Sequence, residues 1–550
     1  MIDELQFSKD YEYTIELYSN NVAFASGTLR FGSGKFVTVQ LKGFEKFILP
    51  SEGSNLNART DTGVKFTLIN CTIENRTIYA DLVICGEVNL GVSKIIVRYA
   101  DLSEWFMYDQ DITGHVGESL TWSTAPPTVD ATVKTSIDSF KITSEIYSSI
   151  IFRSEERVIK EHVNFIFSKD STLFDFPEIK SKPHQLACLL SILIAYPISI
   201  TSIWVTGING YWLPAYFPAF DRPKKEFERN QFWRNSLIRR QTLDSHWPEL
   251  FCCYYSSPHR ESIWTRLAGM QRYQGFWEYK VLGYISLLDS YASSVTKFAN
   301  IKPAGTKLAT IDTIMEQIRN LETPPSDKSI TEIEKILART LPKNRKELTF
   351  LEKYEYVTTN TDKDILKIIN LSEDEFLCLK KVRDSIAHGD AVDLEIYPSE
   401  KIFSITSKIT LLLTFRALNE FGILAGDFIK SLYDTINTLR YNKGLNITHL
   451  ERVLHPTSFF EVSQNLFEKI SKFKGERINA CFTLNKIGEI DYSEKHVALY
   501  KKWNGTHPRQ NISLSETFGV NEQEVHSIDK MHVEHEGKIE QLICAWIIII

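Results

Sequence analysis

The chain has 550 residues, of which 43% are hydrophobic, 12% aromatic and 24% charged. That composition excludes a largely disordered chain and supplies the bulky side chains of a large core, spread over about three or four domains of ordinary size. Lys and Arg number 63 against 69 Asp and Glu, a formal net charge of −6, which argues against a protein that coats nucleic acid constitutively.

The N-terminal stretch MIDELQFSKDYEYTIEL has neither a basic n-region nor an apolar h-region, so a cytoplasmic location is expected. The first ~165 residues read as β-rich. Tyr11, Tyr13, Ile15 and Leu17 alternate with Glu12, Thr14 and Glu16, a period of two. Phe36–Leu41 is a further strand, and Gly32-Ser33-Gly34-Lys35 the hairpin turn before it. A phosphate loop would need Ser or Thr after the Lys and a Gly five residues before Gly34; Phe36 and Leu29 stand there instead. More strands are predicted around 66–73, 78–88, 93–99, 140–151 and 163–167. Trp105 and Phe106 read as core anchors.

A Leu-dense helix is predicted over 185–195, between Pro183 and Pro197, followed by an aromatic-rich loop region. The apolar stretch 189–205 is broken by Tyr196, Pro197 and Ser199, which favours a buried segment over a membrane span. Within 222–240, seven basic residues, among them Arg229 and Arg234, interleave with Phe227, Phe232 and Trp233. Such a mixture suits an RNA backbone with stacked bases, or simply a solvated amphipathic helix. From Ser262 the chain reads as mostly helical. Ser372-Glu373-Asp374-Glu375 is a capping box that opens a helix running to His388, with Gly389 as its terminator. The next helix, 400–421, is so apolar that it must be buried, with a subunit interface as one place for it. The expected domains are 1–170, β-rich; 171–260, a mixed connection; 261–440, helical; and 441–550, of no readable role. The closing Ala545-Trp546-Ile547-Ile548-Ile549-Ile550 is expected as a final strand or helix end.

The eight cysteines form no C-x-x-C pair and read as buried free thiols. His526, His532 and His535 include an H-x-x-H spacing with Glu534 and Glu536 near; a polar surface is the default reading and metal binding the alternative, and no metal is assigned.

One motif carries chemistry: Arg383-Asp384-Ser385-Ile386-Ala387-His388. An imidazole can take the proton of a ribose 2′-OH or protonate a leaving 5′-oxygen. A guanidinium offers a planar donor fork to the phosphate as charge builds on it. Asp384 could orient Arg383, and Lys380 and Lys381 add local positive charge. This chemistry calls for no metal or other cofactor. One His cannot serve as acid and base at once, so two facing chains would complete the pair. The plain alternative is a solvated Arg and a polar C-terminal His, since Arg-x4-His is a short pattern.

The motif in its helical setting resembles the HEPN domain (higher eukaryotes and prokaryotes nucleotide-binding). Leu418-Asn419-Glu420-Phe421-Gly422-Ile423, and the segment from Val97 to Trp105-Phe106, are similar to the ApeA-like branch of that family. The resemblance implies an α+β multidomain protein, with a β-rich N-terminal domain followed by an all-α HEPN bundle. It also implies a metal-independent endoribonuclease of anti-phage abortive infection, active as a homodimer or higher homo-oligomer. RNA, with tRNA among the candidates, would be the substrate, and a phage protein the trigger; no membrane is implied. Asp384 stands where many relatives carry Asn. A non-catalytic HEPN module binding nucleotides or a protein, or a sensor of a phage component, is the alternative.

Overall fold

The computed structural model describes residues 4–19, 22–43, 53–108, 112–115, 121–122, 128–153, 156–206, 210–220, 231–301, 303, 307–321, 323–340, 347–441, 444–473, 477–506 and 512–550. Two compact units divide the chain, 1–445 and 446–550.

The first unit begins with strands β1 (Asp10–Ser19), β2 (Val22–Gly32), β3 (Lys35–Lys42), β4 (Ser54–Thr60), β5 (Lys65–Glu74), β6 (Thr77–Ala80), β7 (Leu82–Ile84) and β8 (Lys94–Tyr99). A short helix α1 (Leu102–Phe106) and a two-stranded ribbon, β9 (Ile112–Thr113) with β10 (Thr121–Trp122), come next. Then follow β11 (Asp130–Lys134), β12 (Ser139–Arg153), β13 (Glu156–Ser168), helix α2 (Phe176–Ile194), β14 (Ile200–Thr206) and β15 (Trp212–Tyr216). Thirteen strands form one sheet in the order β11-β12-β13-β8-β14-β15-β7-β5-β4-β1-β2-β3-β6, and a further β5–β6 pairing rolls its end into a closed ring. Ring closure removes the open edges that β1 to β6 would otherwise expose. The period of two in β1 is realised: Ile15 and Leu17 point into the core while Glu12, Thr14 and Glu16 are exposed.

Two expectations change here. The region after Pro197, read as loop, supplies β14 and β15, which pair with β8 and β7 in the middle of the sheet. Strand β14 is covered on both faces, and nearly every one of its residues is buried. The apolar-polar alternation that marks a half-buried strand is therefore missing. Pro183 does not precede α2 but lies inside it. The helix starts earlier, at a capping box of Asp175 and Glu178 with Pro177 in its first turn. Burial of its later turns against β8 and β14 outweighs the one backbone hydrogen bond that Pro183 cannot make. The carbonyl of Pro183 accepts the Tyr99 hydroxyl at 2.7 Å. Trp105 and Phe106 are fully buried as expected, and the Trp105 indole donates to the Ile238 carbonyl at 3.0 Å.

The rest of the unit is helical: α3 (Gln231–Asn235), α4 (Trp247–Ser256), α5 (Thr265–Arg272), α6 (Trp277–Phe298), α7 (Lys307–Arg319), α8 (Asp327–Thr340), α9 (Phe350–Thr359), α10 (Lys363–Ile369), α11 (Glu373–His388), α12 (Ser399–Glu420) and α13 (Ala425–Asp434). Helix α6 packs against α9, α11 and α12. The apolar residues of α12, including Ile405, Ile409, Leu412 and Leu418, are buried within the chain itself, so no subunit interface is needed to cover them. Lys408 on α12 is also buried. Its ammonium donates to both Glu375 oxygens at 2.9 Å and to the Asn370 carbonyl at 2.6 Å, which offsets the cost of burying it.

The second unit is a five-stranded sheet, β16 (Phe459–Glu461), β17 (Cys481–Leu484), β18 (Ile490–Tyr492), β19 (Val525–His535) and β20 (Lys538–Ile549), in the order β16-β19-β20-β17-β18. It also carries helices α14 (Ile447–Leu454), α15 (Gln464–Ser471), α16 (Glu494–Thr506) and α17 (Leu514–Phe518). The closing isoleucines are strand β20. Ile547 packs with the side chains of α15, and Ile548 with those of α16 and α17, as strand alternation requires. The three histidines do not share one polar surface. His532 is buried, stacked on Phe459 and 3.2 Å from Glu451; His535 meets the Val462 carbonyl; His526 is exposed. Among the described residues no group of metal-binding side chains comes together.

Candidate active site

Helix α11 is built as its sequence dictates. The Ser372 hydroxyl accepts from the Glu375 N–H at 3.2 Å, and the Glu375 carboxylate accepts from the Ser372 N–H at 3.0 Å. Phe376, Leu379 and Val382 recur at helical spacing and are buried, with Phe376 stacked on Tyr354 at 4.1 Å. At the other end Gly389 takes φ 79°, and the Asp390 N–H reaches the Ser385 carbonyl at 2.9 Å. A left-handed residue is required there, which is why a glycine ends the helix.

Arg383 projects toward α6. Its guanidinium lies 3.3 Å from Asp289 and 3.5 Å from the neighbouring Asp384. Asp289 in turn faces the Lys353 ammonium at 3.6 Å, and Lys353 donates to the Ser293 hydroxyl at 2.8 Å. Arg383 is thus a half-buried, oriented cation rather than a waving surface charge. His388, in the last turn, is exposed and has no hydrogen-bond partner among the described residues. Five positions along a helix separate two side chains by about 140° around its axis. A single α11 therefore presents the Arg and the His on different faces.

Asp289 is the site residue that sequence reading missed. It lies 94 positions before Arg383, on a helix with no motif of its own. Lys380 is partly buried and Lys381 exposed on the same helix as Arg383. Arg234 is exposed on α3, and among the described residues no hydrogen bond or ion pair joins it to α11. Arg229 lies outside the described residues. Two of the aromatics interleaved with that basic stretch are already occupied. Phe232 is buried, and Trp233 is sandwiched between Tyr108 at 3.6 Å and the Arg239 guanidinium at 4.0 Å. Base stacking on either would require displacing a partner it already has.

Residues 4–253 match the family described as ApeA N-terminal domain 1. This segment is similar to an ApeA N-terminal domain. The match covers just under half of the chain and is consistent with the ApeA-like resemblance that the Trp105-Phe106 segment carries. The matched segment takes in the whole thirteen-stranded sheet and runs into α4. It ends before α6 and α11, so Arg383 and His388 lie beyond it. No curated protein and no solved structure matches the chain. No helix is long and apolar enough to cross a membrane among the described residues.

Proposed function

We propose that this ApeA-like chain is a metal-independent endoribonuclease of abortive anti-phage defence, with its site completed by a second copy. The observation that carries the reading is the α11 end itself. Arg383 is held in place by Asp289 and Asp384, one turn before a solvent-facing, partnerless His388. In this reading His388 of one copy takes the 2′-OH proton while the other copy's histidine protonates the departing 5′-oxygen. The Arg383 guanidinium meets the charge that builds on the phosphate. Two observations suit a second copy: the angular separation of Arg383 and His388 on one helix, and the exposure of Leu394 and Ile396 just past the helix end. An isologous pairing would bring two α11 ends together.

The test is to incubate wild type, His388→Ala and Arg383→Ala with total RNA in EDTA and to map the ends. Wild type should leave 2′,3′-cyclic phosphates, and each variant should fold yet leave the RNA intact. Cleavage that persists in His388→Ala would overturn the reading. One feature favours the alternative, a non-catalytic module that binds nucleotides or a protein: Arg383 already faces two carboxylates, which compete with phosphate for it. That alternative requires binding with no turnover by any of the three proteins.

A further inference from the structure

A cavity of about 500 Å³ opens between α2, the sheet and the end of α5. Its volume lies within the range of small-molecule sites. The wall formed by Leu82, Phe217 and Phe220 is apolar. The other wall is polar and carries two cations, Lys180 and Arg272. Lys180 and His184, four residues apart on α2, face the same space as Arg272. No carboxylate pairs with Lys180 or Arg272 among the described residues. The Arg272 guanidinium is instead held by the Ile198 carbonyl at 3.3 Å and lies 5.0 Å from the Phe220 ring centroid, while its Nε is buried with no acceptor. Burial lowers its pKa, and the pKa of His184 is lowered by burial and by the charge of Arg272. Asp81, the carboxylate in the lining, accepts from Asn70 at 2.6 Å. A cavity with one apolar wall, one unpaired buried donor and an excess of positive charge is matched by a particular kind of molecule.

We infer that this cavity binds a small aromatic anion, its ring against Phe217 and Phe220 and its acidic group toward Arg272 and Lys180. The Arg272 guanidinium gains an anionic partner in place of a carbonyl alone, and the apolar wall loses its contact with water. The site is independent of RNA cleavage, so it stands or falls separately from the proposed activity.

The experiment uses the full chain and two fluorescent probes. One is 8-anilinonaphthalene-1-sulfonate; the other is N-phenyl-1-naphthylamine, which has the same rings without the charge. Wild type should bind the sulfonate at a single site. Arg272→Met should weaken that binding about tenfold, as loss of a charge-assisted hydrogen bond requires, and Lys180→Met should weaken it less. Both variants should keep wild-type affinity for the neutral probe. Ala219→Trp, which puts an indole into the cavity mouth, should abolish binding of both probes. Should Arg272→Met fail to fold by circular dichroism, Lys180→Met and Ala219→Trp decide. Sulfonate binding that is unchanged in both of these variants, or that falls in step with the neutral probe in Lys180→Met, overturns the inference.

Discussion

Replacing Glu420 with Ala should destabilise the first unit by about 3 kcal/mol, because two buried donors lose their acceptor at once. Glu420 ends α12, and its carboxylate is only 22% exposed. It accepts from His259 Nδ1 at 2.9 Å and from the Ser257 hydroxyl, which itself accepts from the Trp264 indole at 3.1 Å. His259 is also buried, and its other nitrogen meets the Ser294 hydroxyl at 3.0 Å. The carboxylate therefore joins the end of α12 to the turn after α4 and, through His259, to α6. Each stranded donor costs ~1–3 kcal/mol; Glu420→Gln, which keeps the shape and loses the charge, should cost about half as much as Ala.

The sign of the pH dependence follows. Burial would raise the Glu420 pKa, but the hydrogen bonds from His259 and Ser257 outweigh it and hold the carboxyl below its ordinary value. A depressed carboxyl contributes stability above its unfolded pKa and loses it as pH falls through the folded one. The gap between wild type and Glu420→Ala should thus be full at pH 7 and shrink in acid. Guanidinium titration followed by tryptophan fluorescence measures it, with Trp264 inside the cluster. A loss below about 0.5 kcal/mol at pH 7, within what an ordinary surface substitution causes, or a gap that widens toward acid, would refute the reasoning.

Asp289→Asn should lower the rate of the proposed RNA cleavage by about tenfold or more through misplacement of Arg383, with KM little changed. Asp289→Glu should restore part of the rate; steady-state kinetics on a fluorogenic RNA reads both. The thiols offer a separate check on packing. Burial pushes Cys71 and Cys481 up to about 12 and Cys188 up to about 11, which leaves almost no thiolate at pH 8. A disulfide reagent applied to native protein should modify the partly exposed Cys252, Cys253 and Cys544 first. Rapid modification of Cys481 would show that the second unit's sheet is not packed as described.

Local features were legible wherever the signal is local. The capping pair Ser372 and Glu375, the terminator Gly389 and the alternation of β1 are each decided by residues within one turn or one strand of each other. The Arg383 and His388 pattern was visible for the same reason. Its geometry was not. Asp289 enters from another helix, and the orientation of Arg383 depends on it. The bond from His259 to Glu420 spans 161 positions, so the segment ending Asn419-Glu420-Phe421-Gly422 could be noticed but not explained. It is a structural junction: Glu420 holds His259, while Phe421 packs edge-on against Tyr254 at 5.1 Å and Trp264 at 6.1 Å. Strand β14 was missed because near-complete burial erases the alternation that announces a strand.

The place of β14 and β15 has a consequence for how the chain is made. By residue 170 the ring of β1 to β6 has β7 attached through β5, and β8 is paired with β13. Nothing yet joins the two halves. The hairpin of β14 and β15 does so, by pairing with β8 on one side and β7 on the other. Tyr99 therefore waits for Ile200 to leave the ribosome, about 100 residues later, which takes roughly 5–20 s at ordinary elongation rates. During that interval β7 and β8 each present a free edge to other nascent chains. Slowing elongation between Tyr99 and Ile200 prolongs that exposure, whereas the same delay after Tyr216 meets a sheet that is already closed.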